Sequence, residues 1–307
     1  MNFTLKQMRY FNAALRTGSI ARASEDMNIS QSSITAAIDL MEQTLGGALF
    51  RRIPAKGIVA TQLGNDVGGL VAAFLEQARM FDSELMSLAG DPTGTLRLAC
   101  YAPTAPYVLP PILQRIAAQY PDIRIELMEG DMASISDFMA TGAVDVALTY
   151  NQGVSEQDSF HPLFEAAPWA LLPKNWALAH ARSVSLRDLA DKPMVLLDLP
   201  KTKSYFVSLF EAQGLAPRIV HSTKSSSVLR GLVGGHFGYS ILNICGPGDR
   251  DGRADYTALP ISEPSFAPQF GVSYSPTVGQ SSLVQAVLKI GTELTENGTF
   301  EPLLMPT

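Results

Sequence analysis

The stretch that most constrains this chain runs from Gly18 to Ile38. Ser19 follows a glycine and is a good helix N-cap, because its hydroxyl can accept from the orphan N–H groups of a first turn. Ile20, Ala21, Ala23 and Met27 give the short helix behind it a small apolar face. Asn28 stands where a turn residue with positive φ is expected. Ser30 then caps a second helix, on which Ile34, Ile38, Met41 and Leu45 recur at helical spacing. Polar Gln31, Ser32 and Thr35 fall on its outward first turn. Two short helices joined by a tight turn have the layout of a helix-turn-helix.

Around this pair the chain completes a small domain. A first helix from about Thr4 to Arg16 buries Leu5, Met8, Phe11 and Leu15, with Lys6 and Arg9 outside. Gly46-Gly47 ends the third helix, and Leu49-Phe50 re-enters the core. Arg51-Arg52-Ile53-Pro54-Ala55-Lys56-Gly57 makes a basic turn between two short extended pieces. From Leu63 to Leu88, Val67, Leu70, Val71, Phe74, Leu75, Ala78, Phe81, Leu85 and Leu88 recur every three or four residues. That stripe has almost no body of its own to cover it, so it predicts a coiled-coil-like dimer. Gly68-Gly69 predicts a weak point and a bend there.

Asp91-Pro92-Thr93-Gly94 is a turn-rich break. Beyond it strands and helices alternate. Strands over 96–101, 123–128 and 144–150 are separated by helices over 107–120 and 134–141, which implies a mostly parallel sheet. A second set has strands near 169–173, 194–197, 218–221 and 238–242, with helices near 185–190, 204–213 and 226–233. A strand over 270–274 and a helix over 281–293 return to the first set. Crossings near 150–160 and 267–270 form the expected hinge.

Charge sharpens the division. Residues 1–65 hold seven basic and four acidic side chains, a net +3, and the rest of the chain carries −9 of the overall −6. A basic anchor on an acidic body suits a phosphate-bearing partner. No apolar run approaches the roughly 20 residues that span a bilayer, and the N-terminus lacks a basic segment leading into an apolar one, so the cytoplasm is the expected address. Cys100 and Cys245 are far apart and fit reduced, buried thiols. No nucleophile elbow, phosphate-binding glycine loop or paired-cysteine motif occurs, and His161, His180, His221 and His236 lack metal-ligand spacing. The reading therefore expects no catalytic residue, no metal and no cofactor. A glycine-rich run at Gly234–Gly238 leads into a strand, and Gly248–Gly252 lacks a full calcium ligand set, so both read as loops.

The run from Phe3 to Gly64 resembles the winged helix-turn-helix of the LysR-type transcriptional regulators. The likeness rests on Leu5, Met8, Tyr10-Phe11, Gly18-Ser19, Ala21, Ala23, Ser30-Gln31, Ile34, Ile38, Leu45-Gly46, Leu49-Phe50-Arg51-Arg52, Thr61 and Gly64. It continues through Gly94-Thr95-Leu96-Arg97-Leu98, Leu109-Pro110, Tyr120-Pro121, Ile125-Glu126-Leu127, Gly142, Val144-Asp145-Val146-Ala147, Leu189, Pro193 and Gly235 to Leu242. The resemblance implies an α/β chain in three parts. A winged helix-turn-helix spans 1–62 and a dimerising linker helix 63–91. An effector domain like a type 2 periplasmic binding protein spans 92–307, with one subdomain over 92–158 and 269–307 and the other over 159–268.

The same resemblance implies double-stranded promoter DNA as a partner, a dimer or tetramer built through the linker helix, RNA polymerase as a contact, and a small-molecule effector, expected to be an anionic metabolite. Base-reading positions fall to Gln31, Ser32 and Thr35, beside Ser30. Arg22, Arg51, Arg52 and Lys56 are the expected phosphate contacts. The sequence departs from the family where Ser32 replaces a common proline, where Ala36 replaces a common Arg or Lys, and at acidic Asp39. Effector candidates are Tyr101, Ala102, Pro103 and Thr104, where a helix start could hold an anion, with Leu199, Lys203, Thr223 and Ser225 from the second subdomain. Pro103 stands at a position where the family commonly has Ser or Thr. Alternatives are a redox-responsive regulator of the same family, a small-molecule-binding enzyme and a free-standing solute-binding protein.

Overall fold

Local sequence builds the first unit. The computed structural model describes residues 3–53, 57–87, 91–263 and 266–304, and the chain divides into the units Met1–Leu85 and Met86–Thr307. Thr4 caps helix α1 (Leu5–Thr17) through a capping box with Gln7. Ser19 caps α2 (Ile20–Asp26), and Ser30 caps α3 (Gln31–Leu45) by accepting from the Ser33 N–H. Between them Asn28 takes φ 54°, the left-handed turn its position predicts. Tyr10, Ala14, Ala23, Ile34 and Ile38 close one buried cluster among these helices.

Strands β1 (Phe50–Ile53) and β2 (Gly57–Ala60) pair antiparallel as a hairpin. Gly57 has φ 88° and lies so close to Gly18 that a Cβ would strike the Gly18 carbonyl oxygen, which accepts from Ile58 N–H at 3.0 Å. Glu42 fixes the other end, its Oε1 accepting from the N–H groups of Leu49 at 2.6 Å and Phe50 at 3.1 Å. Helix α4 (Gln62–Ser87) follows. Its first half packs Val67, Val71, Phe74 and Leu75 against Met8, Phe11, Met41 and Leu49. The expectation that this helix lacks a body to pack against is thus corrected for its N-terminal half. No break divides the helix at Gly68 and Gly69. Gly68 lets Leu15 approach, since a Cβ there would collide with the Leu15 side chain. Leu70, Phe81 and Leu85 remain exposed, and Leu88 lies outside the described residues.

The second unit begins with β3 (Gly94–Tyr101), α5 (Ala105–Gln119), β4 (Ile123–Gly130), α6 (Met132–Ala140), β5 (Val146–Tyr150) and β6 (Ser159–Glu165). It continues through β7 (Trp169–Pro173), α7 (Leu186–Ala190), β8 (Pro193–Leu197), α8 (Thr202–Glu211), β9 (Arg218–Thr223) and α9 (Ser226–Gly234). Then come β10 (Ser240–Leu242), the single turn α10 (Pro247–Arg250), β11 (Tyr256–Pro260), β12 (Gln269–Tyr274) and α11 (Ser282–Glu296). Among the described residues the first sheet has the order β4-β3-β5-β12-β6. β3 runs parallel to β4 and β5, while β12 is antiparallel to β5 and β6, so the sheet is mixed and not mostly parallel. β6 belongs to this first sheet, which moves the expected crossing near 150–160 to the segment after Glu165.

The second subdomain holds β10-β7-β11, all antiparallel, and the parallel pair β8-β9, joined by a bridge between Met194 and Tyr239. α10 corrects the reading of Gly248–Gly252 as loop alone, because Pro247 at the helix start and the Asp249 side chain on the Gly246 N–H stabilise a turn. An aromatic chain runs through the first subdomain. Tyr101, Tyr150, Phe270, Phe164 and Phe300 succeed one another with ring centroids 5.1–5.6 Å apart. Among the described residues no helix is long and apolar enough to cross a membrane.

Candidate functional sites

Helix α3 carries a buried and an exposed row. Ile34, Ala37, Ile38 and Met41 point into the core. Gln31 is exposed and Thr35 half-buried, one turn apart, and both line a shallow groove with Arg52, Ile20 and Ile53. The groove lies between the α2–α3 pair and the hairpin. Strand alternation explains why only one arginine joins it. Arg52 pairs with buried Ile58 on the inner face, whereas Arg51 pairs with exposed Val59 on the other. Ser30 is spent on local bonds, its hydroxyl lying 2.8 Å from that of Ser32 and 2.9 Å from that of Ser33. Ser32 is therefore exposed but already tied to the helix cap.

Arg22 is exposed on α2, outside the groove. Arg22, Arg51 and Arg52 form no ion pair with a described residue, unlike Arg16, which meets Asp26 at 2.8 Å. Lys56 lies outside the described residues. Asp39 and Glu42 line a second groove with Arg52 and Thr35, so acidic charge flanks this side of the helix. Glu42 was not among the sequence candidates. Its signal is non-local, because it acts on N–H groups seven and eight residues ahead.

In the second unit a cavity of about 30 Å³ sits between the two subdomains, at the carboxyl ends of β3, β5 and β8. Tyr101, Pro103, Thr104, Met132, Tyr150 and Gln152 line one side. Leu197, Thr202, Tyr205, Phe206, Arg230, Leu242, Asn243 and Ile244 line the other, with Pro268 from a crossing segment. Three hydrogen-bond systems hold it shut. The Tyr101 and Thr202 hydroxyls meet at 2.8 Å. Asn243 donates to the Ala166 carbonyl at 2.8 Å and to the Tyr205 hydroxyl at 3.0 Å, and Tyr205 donates to the Phe266 carbonyl, so both crossing segments are tethered.

The third system is Arg230 forked on Asp249, at 2.7 and 2.8 Å. Asp249 also accepts from Tyr256 at 2.7 Å and from the Gly246 N–H, with Tyr107 of α5 at 3.5 Å. Burial pushes the Asp249 carboxyl up, but the hydrogen bonds and charge of Arg230 outweigh it and hold the group below the usual carboxylate range. Burial likewise pushes the Tyr205 hydroxyl up to about 12.

Of the sequence candidates, Tyr101, Pro103 and Thr104 line the cavity. Ala102 is exposed and does not. Leu199 packs in the core, Lys203 pairs with Asp198 at the surface, and Thr223 and Ser225 are used in capping α9. The anion cradle expected at the start of α5 is also corrected. Pro106 has no N–H, the Tyr107 and Val108 N–H groups both donate to the Thr104 carbonyl, and the Thr104 hydroxyl donates to the Tyr101 carbonyl. Met132, Tyr150, Thr202, Tyr205, Arg230 and Asn243 were not foreseen, since they come together only through the fold. Cys100 and Cys245 are both buried and free, and burial pushes both thiols upward, which leaves them poor nucleophiles.

Residues 5–65 match the bacterial regulatory helix-turn-helix model of the lysR family, and residues 89–294 match the LysR substrate-binding domain. The HTH-type transcriptional regulator YtlI of Bacillus subtilis is 26% identical over 62% of this chain and 61% of its own length, so the chain spans under two thirds of that relative. The regulator TtuA of Agrobacterium vitis is 24% identical over 78% of this chain and 79% of its own. The crystal structure of HinK, a LysR family transcriptional regulator from Pseudomonas aeruginosa, is 27% identical with a TM-score of 0.63, covering 95% of this chain and 98% of that one. With one model on the helix-turn-helix and the other over more than half of the chain, this chain belongs to the LysR family of transcriptional regulators, which are not enzymes, and carries the family's effector-binding domain.

Proposed function

We propose that this regulator holds promoter DNA through the groove of α3 and the hairpin, as a dimer or tetramer in the cytoplasm, and answers to a small molecule bound in the cleft. The observation that carries the reading is the convergence of Gln31, Thr35 and Arg52 on one solvent-facing groove above a fully buried Ile34. Short polar side chains at the first turn of a helix reach base edges in a major groove, and a guanidinium beside them meets phosphate. Gln31 suits an adenine, and Thr35 offers a hydroxyl and a methyl to thymine. Arg22 and Arg51, both exposed, add phosphate contacts, and the sequence suggests another from Lys56.

The exposed Leu70, Phe81 and Leu85 on α4 support pairing with a second copy. The cleft supports effector control because it is shut. Ligand sites usually offer 300–1,000 Å³, so an effector selects a form in which Tyr101 and Thr202 have parted. Contact with RNA polymerase then depends on which form holds the promoter. The test is a gel shift with the chain's own upstream region, run beside sedimentation analysis. A shifted complex that outlasts random-DNA competition, formed by at least a dimer, is expected. A strictly monomeric protein with no promoter preference at low salt would sink the reading.

A further inference from the structure

The cleft makes a statement about ligand charge. Among the described residues that line it the one cation is Arg230, which is half-buried and already committed. Its Nε and Nη2 donate to the two Asp249 oxygens and its Nη1 to the Ser226 carbonyl. At the helix start beside the cleft Pro106 has no N–H, and the Tyr107 and Val108 N–H groups are bonded to the Thr104 carbonyl, so these three positions offer no donor to an anion. The outside charge acting on Tyr101 is the carboxylate of Asp131, of the same sign as an anionic ligand. A carboxylate entering here would lose its hydration with no free positive partner, which is among the costliest events in a protein interior.

What the cleft does offer is apolar wall and neutral hydroxyls. Met132, Phe206, Leu197, Leu242 and Ile244 are the wall. Tyr150 is 5% exposed, lines the cavity, and its hydroxyl makes no hydrogen bond to a described residue. By contrast Tyr101 and Tyr205 are both engaged. Burial drives the Tyr150 hydroxyl well above its ordinary pKa, so it stays a protonated donor. A donor on the cavity wall that is not committed to a described residue is available to a ligand acceptor.

We propose that the effector is an uncharged molecule with an apolar body and a hydrogen-bonding oxygen, received by the Tyr150 hydroxyl. The proposal rests on reading this cleft as the effector site. It replaces the anionic metabolite that the sequence suggested.

Phenol, neutral at pH 7, and benzoate, charged there, are matched probes. Each is titrated calorimetrically into the full chain at millimolar concentration, into Tyr150→Phe and into Leu242→Phe, which fills the cleft. Tyr150→Phe removes a group with no hydrogen-bond partner among the described residues, so the fold is expected to persist, which circular dichroism checks. Phenol is expected to bind at least about tenfold tighter than benzoate. It should weaken about fivefold in Tyr150→Phe and be lost in Leu242→Phe. Benzoate binding as tightly as phenol, and lost in Leu242→Phe, would overturn the ligand class while leaving the cleft as the effector site. Binding insensitive to both variants would overturn the class and the site together. Failure of phenol to bind at all would overturn the class.

Discussion

The groove on α3 and the cleft in the second unit are built on opposite terms. In the groove Gln31 and Arg52 face solvent, with no partner among the described residues that commits them. In the cleft nearly every polar group has already found another, and the residual space is about 30 Å³. In the function proposed above, the first surface meets a duplex with its side chains already exposed. The second must break its own bonds before it can take a ligand, so its occupation is tied to a change of form. A regulator needs that asymmetry, with a constant grip on DNA and a conditional response to a small molecule.

Substitution can break the comparison from either side. The largest effect is expected in the cleft wall. Asp249→Ala leaves Arg230 buried and unpaired, and should cost about 3–5 kcal/mol in chemical denaturation of the second unit. Asp249 has its pKa depressed in the folded chain, so its contribution is full above the unfolded value near 4 and fades as the pH falls through the folded value. The stability difference between the wild type and Asp249→Asn should therefore be constant above about pH 4 and shrink toward zero as the pH falls below it.

The next effect belongs to the first unit. Leu70 is 74% exposed and Phe81 62% exposed. Leu70→Asp and Phe81→Asp should leave folding intact and weaken self-association, by about 1.5–3 kcal/mol for each side chain buried between copies. Sedimentation equilibrium reads the result, and an unchanged dimer would remove this face from the interface. Smaller still, Thr202→Val deprives the Tyr101 hydroxyl of its partner across the cleft. It should cost about 1 kcal/mol and raise hydrogen exchange at the start of α8. Smallest is Arg16→Ala. Its ion pair with Asp26 is solvent-exposed, and loss below about 1 kcal/mol is expected in thermal denaturation.

The same contrast explains what could be read from sequence. The helix-turn-helix is local. Ser19 and Ser30 act as caps within three residues, and Asn28 turns the chain where its type predicts. The tie from Glu42 to Leu49 and Phe50 escaped notice because a glutamate on a helix has no sequence mark for that role. β6 escaped because Pro162 interrupts it. It survives as an edge strand: Pro162 stands opposite Gly271, and the register skips Leu163, so the position without an N–H lies at the sheet's open edge, where a proline is tolerated. β11 is likewise an edge strand. The cleft was least legible, since its lining runs from Tyr101 to Pro268 and is assembled by contacts such as Tyr101 with Thr202. Thr104, an effector candidate from the sequence, lines the cleft, but its hydroxyl is turned inward to the Tyr101 carbonyl.

The most direct test compares Gln31→Ala with Arg52→Ala in fluorescence-anisotropy titrations on the chain's own promoter and on random duplex, over a range of salt. Gln31→Ala should lose about 1–3 kcal/mol on the promoter, traceable to one base pair, and nothing on random DNA. Arg52→Ala should weaken both duplexes alike and flatten the salt dependence by about one unit. Equal losses for both variants on both duplexes would contradict the assignment of α3 as the helix that reads sequence.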